Sequence, residues 1–159
     1  MEIYKKGKLN NRTSIIKIDK GIVIKTIIYK NHEQELLERE VYWLTKLKAT
    51  GFVPKLLKVN GLSLYLEYIG PVLSKDNIPK NAEKQILQII LTLNEYNCLY
   101  NDWKPENVLV KNGKLYLIDF GWCPIIKQDF TCGGKVTSAL KNKPSGDRFL
   151  NVCEFIRSK

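Results

Sequence analysis

The 159-residue chain predicts an α+β fold, sheet-rich in its first half and helix-led in its second. β-branched runs joined by tight-turn residues recur as far as Ile69, and apolar spacing switches to the helical period in two long stretches. The regular strand–helix alternation of a doubly wound sheet is absent. Apolar residues make up 44% and charged residues 26%, enough for one real core and unlike a disordered tail.

The elements follow in order. A short strand around Ile3-Tyr4 precedes the polar loop Gly7–Arg12. Ser14–Ile18 and Gly21–Tyr29 flank Asp19-Lys20-Gly21 and predict a hairpin. From Asn31 to Lys48 the apolar residues Leu36, Leu37, Val41, Leu44 and Leu47 form one helical stripe, with Asn31 as cap and Gly51 as stop. Val53–Val59 and Leu62–Ile69 flank Asn60-Gly61, the strongest hairpin signal in the chain, and Gly70-Pro71 ends the sheet region. Asn81 opens a second helix that buries Ile86, Ile89, Ile90 and Leu93. Val108–Val110 and Lys114–Ile118 make a further hairpin around Asn112-Gly113, and Asp147 begins a last short helix with Phe149, Val152, Cys153 and Ile156 on one face.

Several function classes recede. No apolar run reaches the ~18 residues of a membrane span, and the N-terminal segment lacks the apolar stretch of a signal peptide, so a cytoplasmic protein is expected. Four cysteines (98, 123, 132 and 153) form no C-x-x-C pair, and His32 is the single histidine, a composition that favours buried thiols over a zinc site. Lys and Arg number 26 against 16 Asp and Glu, a net charge of +10 that favours polyanionic partners such as nucleotide phosphates or nucleic acid. Lys5, Lys6, Lys8 and Arg12 would serve a nucleic-acid contact.

The chemistry concentrates in residues 100–110, YNDWKPENVLV, which place Asp102, Lys104 and Asn107 in a loop between a helix and a strand. Asp119, twelve residues beyond Asn107, ends the partner strand, so the hairpin can bring the two together. Carboxylates and an amide oxygen are hard ligands of the type Mg²⁺ takes alongside nucleotide phosphates.

These motifs resemble the protein-kinase-like superfamily. Residues 102–107 match the D-x-K-x-x-N part of its catalytic loop, and Asp119-Phe120-Gly121 matches its D-F-G. Ile22-Val23-Ile24-Lys25 resembles V-A-I-K, and Glu40, a carboxylate on the apolar stripe, is the natural partner of Lys25. Leu66–Gly70 resembles the segment joining two lobes, where backbone groups would meet adenine. The resemblance implies a two-lobed kinase-like fold, with a sheet-rich N-lobe over 1–69 and a shortened helical C-lobe over 70–159. It implies ATP and Mg²⁺, with Val23, Lys25, Glu40, Glu67, Ile69, Asn107 and Asp119 at the nucleotide. Asn107 and Asp119 would hold the metal, and Asp102 and Lys104 would be catalytic. Asp147 resembles the aspartate beneath the catalytic loop.

Three departures accompany the match. Gly7–Arg12 carries one glycine where the family has G-x-G-x-x-G, leaving Lys8 or Arg12 to supply charge. Tyr100-Asn101 stands in place of His-Arg, which argues against control by phosphorylation of the following segment. Only 38 residues follow Gly121, without an A-P-E motif. The expected activity is therefore a minimal ATP- and Mg²⁺-dependent phosphotransferase acting on a hydroxyl of protein Ser/Thr, a sugar or another small molecule. The rival reading is a catalytically weak pseudokinase, a binding module for a kinase or another complex. The short C-lobe is a place where a protein partner would sit.

Overall fold

The computed structural model describes residues 2–5, 13–100, 102–125 and 149–158. The expectations for Lys6, the loop Gly7–Arg12 with Lys8 and Arg12, Asn101, Cys132 and Asp147 lie outside them, as does that for the Lys5 side chain.

Five strands form the first sheet: β1 (Glu2–Lys5), β2 (Ser14–Asp19), β3 (Ile22–Ile27), β4 (Leu56–Asn60) and β5 (Ser63–Glu67). They are antiparallel in the order β1-β2-β3-β5-β4, so β3 lies at the centre, bonded on both sides. The turn between β2 and β3 puts Lys20 and Gly21 at φ 49 and 76, a left-handed pair suited to a two-residue hairpin. The β3 strand ends at Ile27 rather than Tyr29, and β4 begins at Leu56 rather than Val53. Pro54 has no amide to give a ladder, which explains the later start.

Helix α1 (Glu33–Lys46) packs on this sheet through Leu36, Leu37, Trp43 and Leu44. Its N-cap is His32, not Asn31, which sits one residue earlier at φ 70. At the other end α1 stops at Lys46, a short 3-10 turn follows over Lys48–Thr50, and Gly51 at φ 78 terminates that turn.

Asn81 is the N-cap of α2 (Ala82–Glu95), which buries Ile86, Ile89, Ile90 and Leu93 and leaves Leu87 and Leu91 exposed. A second sheet consists of β6 (Val108–Lys111) and β7 (Lys114–Leu117), turning at Asn112-Gly113. The residues leaving the first sheet run along its outer edge: Val110 N–H donates to the Pro71 carbonyl at 2.9 Å and Leu73 N–H to that of Val108 at 2.7 Å. Gly70 is needed there, because a β-carbon on it would overlap the Val110 carbonyl oxygen.

The last helix, α3 (Leu150–Arg157), buries Val152 and Cys153. It is tied down by Arg157 to Glu83 at 2.5 Å and by the Lys75 ammonium, which donates to the Phe155 carbonyl and lies 4.0 Å from the Phe155 ring centre. A continuous apolar core joins all these layers, running from Ile27 and Leu64 through Leu36 and Leu44 to Ile86, Leu93, Leu117 and Val152. No helix among the described residues is long and apolar enough to cross a membrane.

Candidate active site

The first group of charges is set by the central strand and by α1. Lys25, paired with Leu64 across the sheet, points toward α1 from the strand whose backbone is held on both sides. Its ammonium donates to both Glu40 carboxylate oxygens, at 2.9 and 2.7 Å, and to Oδ1 of Asp119 at 3.1 Å. The three side chains are only 6%, 3% and 9% exposed. Burial pulls the Lys25 pKa down, but Asp119 and Glu40 more than reverse this and leave it above its ordinary value of 10.5. The described buried charges are two cations, Lys25 and Arg39, and two carboxylates, Glu40 and Asp119. Such a balance is what permits charges in a low-dielectric interior.

The second group lies on the β6–β7 hairpin. A 3-10 turn over Pro105–Asn107 delivers Asn107 to the start of β6, where its amide N–H donates to the Lys104 carbonyl at 3.0 Å. Ile118 N–H then donates to the Asn107 carbonyl at 3.0 Å, which fixes Asn107 beside the residue that precedes Asp119. The Asn107 side-chain amide donates to the Asp102 carbonyl at 2.9 Å and to its Oδ2 at 3.0 Å. Lys104 Nζ lies 3.7 Å from Asp102 Oδ1 and is 43% exposed, so solvent screens that pair.

These contacts leave Oδ1 of Asn107 fully buried and without a hydrogen-bond partner among the described residues. A buried amide oxygen without a donor is costly, and a cation satisfies it. The same oxygen and the Asp119 carboxylate fit Mg²⁺, which uses one or two protein oxygens and completes its shell with phosphate and water. No cluster of three His, Cys, Asp or Glu suited to a metal occurs among the described residues.

No protein-family model matches the chain. It is 25% identical over 131 residues to the "Probable serine/threonine-protein kinase BUD32 homolog" of Archaeoglobus fulgidus, covering 76% of this chain and 65% of that protein. It also superposes on a solved structure of the bifunctional kinase-methyltransferase WbdD with a TM-score of 0.58, at 21% identity, covering 76% of this chain and 33% of that one. The fold is protein-kinase-like. The chain spans less than two thirds of the curated relative and a third of the solved structure.

Within this kinase-like fold the structure brings Lys25, Glu40 and Asp119 into direct contact and joins Asp102, Lys104 and Asn107 in a second group, connected to the first through Ile118. Val23, half-buried on β3, pairs with Leu66 on β5. Glu67 and Ile69 stand apart from both groups, at the exit of β5. The Glu67 amide donates to the Lys55 carbonyl and that of Tyr68 to Gly21, both at 3.0 Å, so neither N–H is left for a ligand. Glu67 Oε1 accepts from Lys55 N–H at 2.9 Å, and the residue lines a cavity of about 300 Å³ with Lys48, Pro54 and Tyr116.

Two residues at this site, Arg39 and Trp43, carry no motif, and a third, Tyr100, stands where the family motif has histidine. Arg39, 1% exposed, donates from Nε to the Gly121 carbonyl at 2.6 Å, and Trp43 donates from Nε1 to the Cys123 carbonyl at 3.0 Å. Tyr100 donates its hydroxyl to the Ile118 carbonyl at 2.6 Å and packs against Trp103 and Phe120. Burial, reinforced by Asp119 and Asp102, pushes the Tyr100 pKa well up, so it stays a donor. The helical spacing Leu36, Arg39, Glu40, Trp43 already places Arg39 on the buried face of α1.

Proposed function

We propose that the chain is an ATP- and Mg²⁺-dependent phosphotransferase that moves the γ-phosphoryl group to a hydroxyl. The observation that carries this reading is the buried Lys25 held between Glu40 and Asp119, together with an Asn107 oxygen that has no hydrogen-bond partner among the described residues. The kinases among its relatives support it.

Lys25 gives all three N–H groups to carboxylates, two to Glu40 and one to Asp119. Phosphate oxygens of ATP would take the N–H now held by Asp119, while Glu40 keeps the ammonium in place. That exchange releases the Asp119 carboxylate for the metal. Asn107 Oδ1 and Asp119 would hold Mg²⁺, whose chemistry there is to neutralise charge on the β- and γ-phosphates. Asp102, oriented by the Asn107 amide, would accept the proton of the acceptor hydroxyl. The acceptor oxygen bonds to the γ-phosphorus as the bond to the β–γ bridging oxygen breaks, and ADP leaves with that electron pair. Lys104, largely in solvent, would steady the γ-phosphoryl oxygens. At the exit of β5 the Ile69 backbone would meet the adenine edge, a reading supported by the Glu67 and Tyr68 amides before it being engaged by Lys55 and Gly21.

Thermal unfolding with ATP, with and without Mg²⁺, tests the reading in the wild type and Asp119→Asn. A ligand that binds only the folded state raises the midpoint, by RT ln(1 + [L]/Kd) in stability. The expected result is a Mg²⁺-dependent rise in the wild type that Asp119→Asn loses, together with ATP consumption that Asp102→Asn abolishes while still binding ATP. A rise of equal size without metal and in Asp119→Asn would reduce the interaction to basic attraction for phosphate. Metal-dependent binding without turnover would favour the pseudokinase reading.

A further inference from the structure

We infer that Arg39 and Trp43 are positioning residues for Asp119, so that helix α1 sets the metal-binding arm by its own hydrogen bonds; this rests on the function proposed above. Asp119 has φ 72, in the left-handed region that is uncommon for residues other than glycine, although aspartate enters it more readily than most. The residue before it is held at both ends, since Ile118 N–H donates to the Asn107 carbonyl and the Ile118 carbonyl accepts from Tyr100. After Asp119 the chain is held from α1. Arg39 takes the Gly121 carbonyl, Trp43 takes the Cys123 carbonyl, and Trp122 stacks edge-on against Tyr29 with ring centres 5.4 Å apart.

The packing at Gly121 makes the contact close. A β-carbon on that residue would press on Leu36 Cδ2 at 3.3 Å, and the Leu36 carbonyl and a Glu40 oxygen stand at 3.8 Å. The α1 helix therefore lies directly on the backbone of the arm. Arg39 and Glu40 are consecutive in α1, and each acts on one half of the site. Glu40 holds Lys25, which meets the phosphates, and Arg39 holds the Gly121 carbonyl two residues beyond Asp119. Because Arg39 and Trp43 are only 1% and 3% exposed, water cannot substitute for their N–H groups. An arginine suits the position because its planar guanidinium is charged at every accessible pH and donates in a fixed direction.

The role is read from the coupling between ATP and Mg²⁺. Calorimetry on the full chain gives the ATP dissociation constant with chelator and with Mg²⁺, and the first divided by the second measures how well the metal arm is aligned. In Arg39→Met this ratio should fall about five- to tenfold, while metal-free affinity stays within about twofold. Arg39→Lys, which keeps a donor, should recover part of the loss. Trp43→Phe keeps a six-membered aromatic ring but loses the N–H with the rest of the pyrrole ring, and should lower the ratio about two- to threefold. A structural role alone would lower the melting point and weaken both affinities together. Folded variants that keep the wild-type ratio overturn the inference, and should Arg39→Met not fold, Trp43→Phe decides. A wild type without Mg²⁺-dependent affinity, or one that Asp119→Asn does not alter, overturns the proposed function and the inference with it.

Discussion

Lys25 shows how a single side chain can be both structural and chemical. Its burial alone would favour the neutral amine, yet Asp119 and Glu40 raise its pKa above 10.5. A cation stabilised in this way contributes fully below its unfolded-state pKa, and the contribution fades only as pH rises through the higher folded value. ATP affinity should therefore show no break from Lys25 between about pH 7 and pH 10, which titrations at constant ionic strength would check. Removing the charge is another matter. Lys25→Met leaves two carboxylates in the interior without their shared cation and should cost about 3–5 kcal/mol, measurable by urea unfolding. The pair Lys25–Glu40 was legible in the sequence, because a carboxylate on an apolar helical stripe calls for a buried cation. Arg39 was not, although it lies at the same spacing. Its partner is a backbone carbonyl 82 residues away, and carbonyls leave no trace in residue type.

At the scale of elements, the sequence revealed the strands and helices better than their ends. Alternation and turn residues located the three hairpins, but Asn31 is a left-handed residue ahead of the cap and not the cap itself. Composition favours asparagine in both roles, so only the backbone separates them. In the sequence Gly70-Pro71 marks the end of the sheet region, and the run Gly70–Leu73 that it opens has no strand signal. It instead pairs along β6, an arrangement that depends on contacts nearly 40 residues apart and has no local signature. Its requirement for Gly70 is steric. Gly70→Ala should destabilise the protein by about 1–3 kcal/mol, since the strand must move away from Val110, and differential scanning calorimetry would show the lower midpoint.

For the molecule as a whole, the α+β character followed from hydrophobic periodicity, but the strand order did not. The junction of β3 with β5 is a long-range choice, made by the side chains that α1 covers, and local turns do not encode it. The core that results runs without a break from the first sheet to α3, and it supports the expectation of one cooperative unfolding transition. Coincident loss of far-ultraviolet circular dichroism and tryptophan fluorescence would verify this, because Trp43, Trp103 and Trp122 are all buried.

The pairing of Gly70–Leu73 with β6 also decides what movement is open to the two halves. A free linker lets such halves swing apart like a hinge, with the rotation absorbed by a few backbone dihedrals. Here Val110 bonds to Pro71 and Leu73 to Val108, so residues 71–73 move with β6 and any swing falls to the backbone before them. If the proposed function holds, Asn107, at the start of β6, would therefore keep its place relative to residues 71–73 while the first sheet moves.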